Sequence, residues 1–272
     1  MCAALGLRAV SPALEASAAE RRDIGRARRS VLPRSALAEY SPAPNRVCPI
    51  DLLESQAAER IVDLVPIRYG RMLQSQFAFL RGSALLMAAD LSSHRHTGLT
   101  AQLCGDAHVS NFGLFASPER SLVFDVNDFD ETLPGPWEWD VKRLVTSVSI
   151  LAKENGFGRG ERDRVVRSCA QAYRDRMRTL ATMRELDVWY DQTVVDEVLV
   201  SGVDQTYAQA IGQTASKAQG RDSLQALSKL TRLVDGRRRL ASDPPLLIPI
   251  EELVGEAEAI VHEEHMGALF DA

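Results

Sequence analysis

Residues 103–140 read LCGDAHVSNFGLFASPERSLVFDVNDFDETLPGPWEWD. Two short apolar runs, Phe112–Ala116 and Ser121–Val126, flank Ser117-Pro118-Glu119-Arg120. That spacing predicts a β-hairpin with its turn at the proline. Asp106, His108 and Asn111 precede the first strand, while Asp125, Asn127, Asp128, Asp130 and Glu131 end or follow the second. A hairpin returns its second strand to the start of its first, so these two polar groups are expected to meet.

Their meeting has a chemical consequence. From Asp125 to Asp140 there are six acids and no Lys or Arg. Carboxylates crowded at a strand end repel one another and resist desolvation. A divalent cation would compensate, and Mg²⁺ prefers carboxylate and amide oxygens with waters and phosphates as its other ligands. Asn111 and Asp128, one from each end of the hairpin, are the expected metal ligands, with Asp130 and Asp125 as further candidates. Asp106 is placed to act as a base or to position a hydroxyl nucleophile. His108 is counted with it in the catalytic loop, holding the loop's shape through a hydrogen bond ahead of direct metal binding.

The stretch Cys104-Gly105-Asp106-Ala107-His108-Val109-Ser110-Asn111 resembles the H-G-D-x-H-x-x-N catalytic loop of aminoglycoside and choline phosphotransferases, which share the protein-kinase-like fold. Cys104 stands where that pattern has its first His. The resemblance implies a hairpin after the loop, a Mg²⁺-binding Asp at Asp128, and a further Asp opening the next helix at Asp140. It also implies ATP or GTP as donor and a small-molecule or protein hydroxyl as acceptor, in agreement with the general template for phosphoryl transfer. Over longer stretches the chain is similar to a bacterial family known only as domain of unknown function 2252. The likeness lies in Val65–Met72, Phe77–Gly82, Cys104–Gly113 and Phe124–Arg143, and extends from about Arg28 to the C-terminus. That resemblance implies longer relatives, whose later part carries a Gly-rich stretch and a Lys-bearing strand suited to clamping a nucleotide.

Composition narrows the class. The 272 residues, 45% apolar and 25% charged, are ordinary for a soluble globular protein. A net charge of −5 argues against general nucleic-acid binding. Cys2, Cys48, Cys104 and Cys169 lack C-x-x-C spacing and read as free thiols of a reducing cytosol. No apolar run has transmembrane length, and the N-terminus is a poor signal peptide, so neither a membrane partner nor export is expected. There is no G-x-x-x-x-G-K-[ST] or G-x-G-x-x-G loop. None of the four lysines, Lys142, Lys153, Lys217 and Lys229, sits in a strand suited to holding nucleotide phosphates.

Residues 1–45 read as a peripheral, partly disordered basic arm, with five arginines from Glu20 to Arg29. Residues 46–272 read as one kinase-like catalytic lobe, truncated at its C-terminus. Within it, Pro49–Val65 is a helix capped by Asp51, Ser75–Leu80 a short strand, and Gly82–Leu91 a buried helix. Arg68, Arg71 and Arg81 either bind phosphate, Arg71 and Arg81 being the candidate nucleotide contacts, or pair with the acids of 125–140. His94 and His96 read as an exposed loop. Helices follow over Trp137–Asn155, with an apolar face of Val141, Leu144, Val145, Val148 and Leu151, and over Glu161–Leu186, with Trp189 and Tyr190 packed on the bundle. Further helices are expected at 194–200, 204–218, 223–230 and 251–269, and a hairpin at 231–240 about Asp235-Gly236. The fold class is therefore α+β, a mostly helical kinase-like C-lobe whose hairpin carries an acidic site and whose nucleotide-clamping lid is incomplete. Two functions stand: a Mg²⁺-dependent phosphotransferase, and a non-catalytic kinase-like domain that binds a metal or a partner. A metal-dependent hydrolase is a third.

Overall fold

The computed structural model describes residues 16–117, 119, 121–195, 205–219, 223–249 and 252. The protein is α+β, with small antiparallel ladders set among helices.

The basic arm contains α1 (Ala18–Val31), which starts at a capping box between Ser17 and Glu20 and buries none of its own residues. Its anchor is Leu32, 3% exposed, helped by Arg95 donating to the Val31 carbonyl at 2.9 Å. The helix expected over Pro49–Val65 is broken into α2 (Pro49–Ala57), a 3₁₀ turn at Val62–Leu64 and α3 (Val65–Met72). Pro66 explains the break, because it has no N–H for the carbonyl four residues back and suits a first turn. Asp51 lies in the first turn of α2, and Cys48 occupies the cap without a side-chain bond.

The strand expected at Ser75–Leu80 is a helix, α4 (Gln76–Arg81). Ser75 Oγ accepts the Ala78 N–H at 3.1 Å, so an N-cap outweighs the β-propensity of Phe77 and Phe79. α5 (Ala84–Ser92) follows and buries only Leu91 fully.

Two ladders then build the site. β1 (Thr100–Leu103) pairs with β4 (Leu133–Pro136), and β2 (Phe112–Ala116) pairs with β3 (Leu122–Val126). The second is the expected hairpin. The first was unexpected, since Leu133-Pro134-Gly135-Pro136 reads as a break. A two-stranded ladder has only edges, where proline is tolerated. Its register, Leu103↔Leu133, returns residues 127–132 to the start of loop 104–111. Thr132 Oγ1 donates to the Leu103 carbonyl at 2.6 Å and locks that return.

α6 (Glu138–Glu154) runs behind the loop and packs on α7 (Arg159–Leu180). α6 begins and ends within a residue of expectation, but its buried residues are Glu138, Arg143, Ser147 and Ala152 rather than the apolar stripe. α7 stops at Leu180, short of Leu186. α8 (Glu185–Trp189) leaves Trp189 82% and Tyr190 72% exposed, which corrects the expectation that they pack on the bundle. α9 (Gln205–Gln219), α10 (Ser223–Leu230) and the hairpin β5 (Thr231–Val234)–β6 (Arg237–Leu240) agree with the sequence reading. Asp235 and Gly236 adopt φ of 51° and 75°, the conformation of a type I′ turn. The expected helices at 194–200 and 251–269 lie largely outside the described residues.

Gly105 separates packing from conformational strain. It has φ +87°, and a Cβ there would lie 1.9 Å from the Glu131 carbonyl oxygen, whereas Gly156, with φ +80°, has nothing within 4 Å. Gly156→Ala should cost about 1–2 kcal/mol, the left-handed penalty alone, and Gly105→Ala several-fold more in urea denaturation. Equal costs would show that loop 127–132 does not press on Gly105.

Candidate functional site

The loop from Cys104 to Asn111 has little secondary structure, so its N–H groups need partners. Two residues on one face of α6, Asp140 and Ser147, provide acceptors for three of them, and Arg143 lies between the two. Asp140 Oδ2 accepts the Cys104 N–H at 2.7 Å and Oδ1 accepts that of Gly105 at 3.1 Å. Ser147 Oγ, fully buried, accepts the Val109 N–H at 3.1 Å. Between them Arg143, 2% exposed, donates Nε to Asp106 Oδ1 at 2.5 Å and Nη2 to the Leu80 carbonyl at 2.7 Å. Positions 140, 143 and 147 recur at helical spacing, which places all three on the side facing the loop.

Asn111, 5% exposed, closes the other end. Its Nδ2 donates to the Asp106 carbonyl at 3.1 Å and to the Asp128 carbonyl at 3.0 Å, and the Asn127 N–H reaches the Asn111 carbonyl at 2.9 Å. The two polar groups flanking the hairpin therefore meet, as expected. With its nitrogen committed to the backbone, the Asn111 amide leaves Oδ1 without a hydrogen bond among the described residues.

The acids at the end of β3 and beyond it behave differently from expectation. Asp125, Asp128, Asp130 and Glu131 are exposed, so water screens their repulsion and the fold does not require a cation to hold them. Asp128 Oδ1 accepts the Asp130 N–H at 3.0 Å, and Asp125 Oδ1 caps the Val126 N–H at 2.7 Å. Among the described residues no three His, Cys, Asp or Glu side chains form a ready-made metal cluster. Mg²⁺ needs no such cluster, since one or two protein oxygens suffice when phosphates and waters complete its shell. The free Oδ1 of Asn111 and the carboxylate of Asp128 fit that requirement. Asp130 is joined to the pair only through its backbone.

His108 is 5% exposed, its Nε2 is 3.5 Å from Asp106 Oδ2, and the Phe77 ring meets it edge-on at 6.0 Å. Burial, opposed by Asp106 and reinforced by the charges of Arg143 and Arg81, lowers its pKa below the usual histidine value. Its Nε2 faces the Asp106 carboxylate, and its Nδ1 is buried without a partner. Cys104 is pushed up to about 11 by burial and the Asp140 charge, so its thiol stays protonated. Burial also raises Asp140, although its two N–H donors and Arg143 pull the other way.

The arginines divide. Arg68 turns inward, donating to the Gly82 carbonyl at 2.5 Å and to Gln56 Oε1 at 3.2 Å. Arg81 is exposed and close enough for its charge to act on His108. Arg71 is exposed, and no hydrogen bond or ion pair ties it to the loop among the described residues. None of the three pairs with the acids of 125–140, so that expectation fails. Sequence reasoning missed Arg143. The signal was a single Arg between Lys142 and the apolar positions of α6, with nothing local to show that it turns inward.

An α+β chain whose loop 104–111 is gripped by one helix and tied by an asparagine to an acidic strand end defines a class rather than an activity. A model of a bacterial family described as an uncharacterized protein conserved in bacteria, DUF2252, matches residues 60–268, and the chain belongs to that family. No curated protein and no solved structure matches it. No helix among the described residues is long and apolar enough to cross a membrane.

Two measurements probe this site. Arg143→Met should destabilise by about 3 kcal/mol in urea, because it strands Asp106. Adding Asp106→Asn should recover part of that loss, while strict additivity would show that the pair is not coupled. Because the folded pKa of His108 is depressed, the unfolded chain protonates first. Its contribution to stability is therefore complete above about pH 6.5 and is lost as the pH falls through the depressed value. His108→Gln should remove that part of the acid-side decline, read as the difference in urea midpoints between pH 7 and pH 5.

Proposed function

We propose that this site transfers the γ-phosphoryl group of ATP or GTP to a hydroxyl acceptor, a small molecule or a protein side chain, with Mg²⁺ as cofactor. The observation that carries the reading is the Asn111 side chain, whose one nitrogen joins the backbone of Asp106 to that of Asp128. A base and a metal-binding carboxylate are thereby tied into one unit. Asp106 accepts the acceptor's hydroxyl proton, with Arg143 fixing the direction of the carboxylate. As the acceptor oxygen bonds to the γ-phosphorus, the bond to the β-phosphate bridging oxygen breaks and the nucleoside diphosphate leaves. Asn111 Oδ1 and Asp128 would hold Mg²⁺, which supplies charge neutralisation at the phosphates. Arg81 offers a guanidinium for the same phosphates.

The second reading is a non-catalytic domain of this family that binds a metal or a partner. It is favoured by the ion pair of Asp106 with buried Arg143, which occupies one oxygen of the base.

Thermal melting with Mg²⁺ alone, ATP alone and both separates the two. A ligand at a hundred times its Kd stabilises by about 2.7 kcal/mol, a rise on the order of 5–10 °C for a domain of this size. The phosphotransferase reading expects a rise that needs both, lost in Asp128→Asn. Asp106→Asn should keep the shift and abolish transfer in a screen of hydroxyl acceptors. A rise with Mg²⁺ alone supports the binding domain, and no shift under any condition removes the nucleotide from the site.

A further inference from the structure

A cavity of about 980 Å³ lies on another face of α6, bounded by residues 37–40, α3, α4 and α5. Its walls are mainly apolar, among them Leu73, Phe79, Leu86, Val145 and Ile150. That volume and lining suit a small molecule with an apolar body.

The direction of α6 sorts the ionisable groups to one end. Its first turn meets the 94–98 loop, where Glu138 accepts the Thr97 N–H at 2.8 Å. Its last turn meets the start of α4, where Glu154 accepts the Phe77 N–H at 2.8 Å. Lys142 therefore shares an end with Tyr40, Asp90 and His94, while Ile150 shares the other with Leu73 and Gln76. Eight residues of helix separate Lys142 from Ile150, roughly 12 Å.

At the polar end Asp90 is already neutralised, because Arg46 holds both of its oxygens, at 2.5 and 2.8 Å. Lys142 has no hydrogen bond or ion pair among the described residues, and Glu138, one turn before it, forms none with it. Burial also holds Lys142 below the usual lysine pKa. His94 stacks obliquely on Tyr40 at 5.1 Å, and its Nε2 is buried without a partner. The His94 imidazole nitrogen is buried without a partner and the half-buried Lys142 ammonium has none, an arrangement that is costly unless something polar joins them. A carboxylate accepts from both and is the anion a charge-assisted hydrogen bond favours.

We propose that this cavity binds an amphipathic carboxylic acid of medium chain length, its carboxylate between Lys142 and His94 and its chain along α6 toward Ile150. The site is independent of the phosphotransferase reading, and binding is measured without nucleotide, so either can fail alone.

Isothermal titration of the full chain with decanoate, decanol and decylamine, each below its micellar concentration, tests it. Decanoate should bind about tenfold or more tightly than decanol, one charge-assisted bond's worth. Lys142→Gln should abolish that advantage and leave decanol binding unchanged, which also shows the variant folded. Ile150→Trp, which fills the apolar end, should weaken both ligands by about tenfold or more. If Lys142→Gln does not fold, the decanoate-to-decanol ratio and Ile150→Trp decide the matter. Equal binding of acid and alcohol, preference for decylamine, absence of binding, or decanoate binding untouched by Ile150→Trp overturns the proposal.

Discussion

The structure depends on the grip of α6 on the loop from Cys104 to Asn111. Asp140, Arg143 and Ser147 hold that loop at Cys104 and Gly105, at Asp106 and at Val109. A loop of this kind cannot satisfy its own N–H groups, and burying them unpaired would cost more than most single contacts return. Side chains on a rigid helix solve the problem and set the direction of Asp106 at the same time. Arg143 extends the grip to α4 through the Leu80 carbonyl, so the helix carrying Arg81 is held by the same side chain that holds Asp106.

Electrostatics divides the site into two unlike halves. On the loop side, Asp106 lies between His108 and Arg143, in a medium where charges are costly to leave alone. Beyond β3 the acids face water, and their number demands no internal counter-ion. An ion at Asn111 and Asp128 would therefore serve chemistry rather than folding, in contrast to structural metal sites, where binding energy is folding energy. The gap between the halves is spanned by one side chain, Asn111, whose burial and two carbonyl partners leave little freedom to reorient.

Much of the local structure was legible. The hairpin of β2 and β3 followed from two apolar runs and a four-residue turn, and that of β5 and β6 from Asp235-Gly236. Gly156, with positive φ, follows α6 at the boundary expected for the helix over Trp137–Asn155. The misreadings share a cause. Two phenylalanines suggest a strand where Ser75 caps a helix, a single helix is expected from Pro49 up to Val65 although Pro66 follows it, and no strand is expected at Leu133–Pro136 although a ladder edge accepts proline. In each case a backbone requirement overrode side-chain propensity. Trp189 and Tyr190 fail differently, since aromatic character does not dictate burial.

Sequence alone determined the meeting of Asn111 with Asp128, because hairpin register is local and brings the two strand ends together whatever surrounds them. It also determined that Asp140 would open a helix just after the acidic segment. Only the tertiary structure decided what that helix does. The stripe of Asp140, Arg143 and Ser147 lies beside the apolar positions of α6, and local pattern cannot say which stripe turns inward. That choice fell to the loop packed against it, whose unpaired N–H groups and Asp106 carboxylate required polar partners, and to the β1–β4 ladder that brought the loop there.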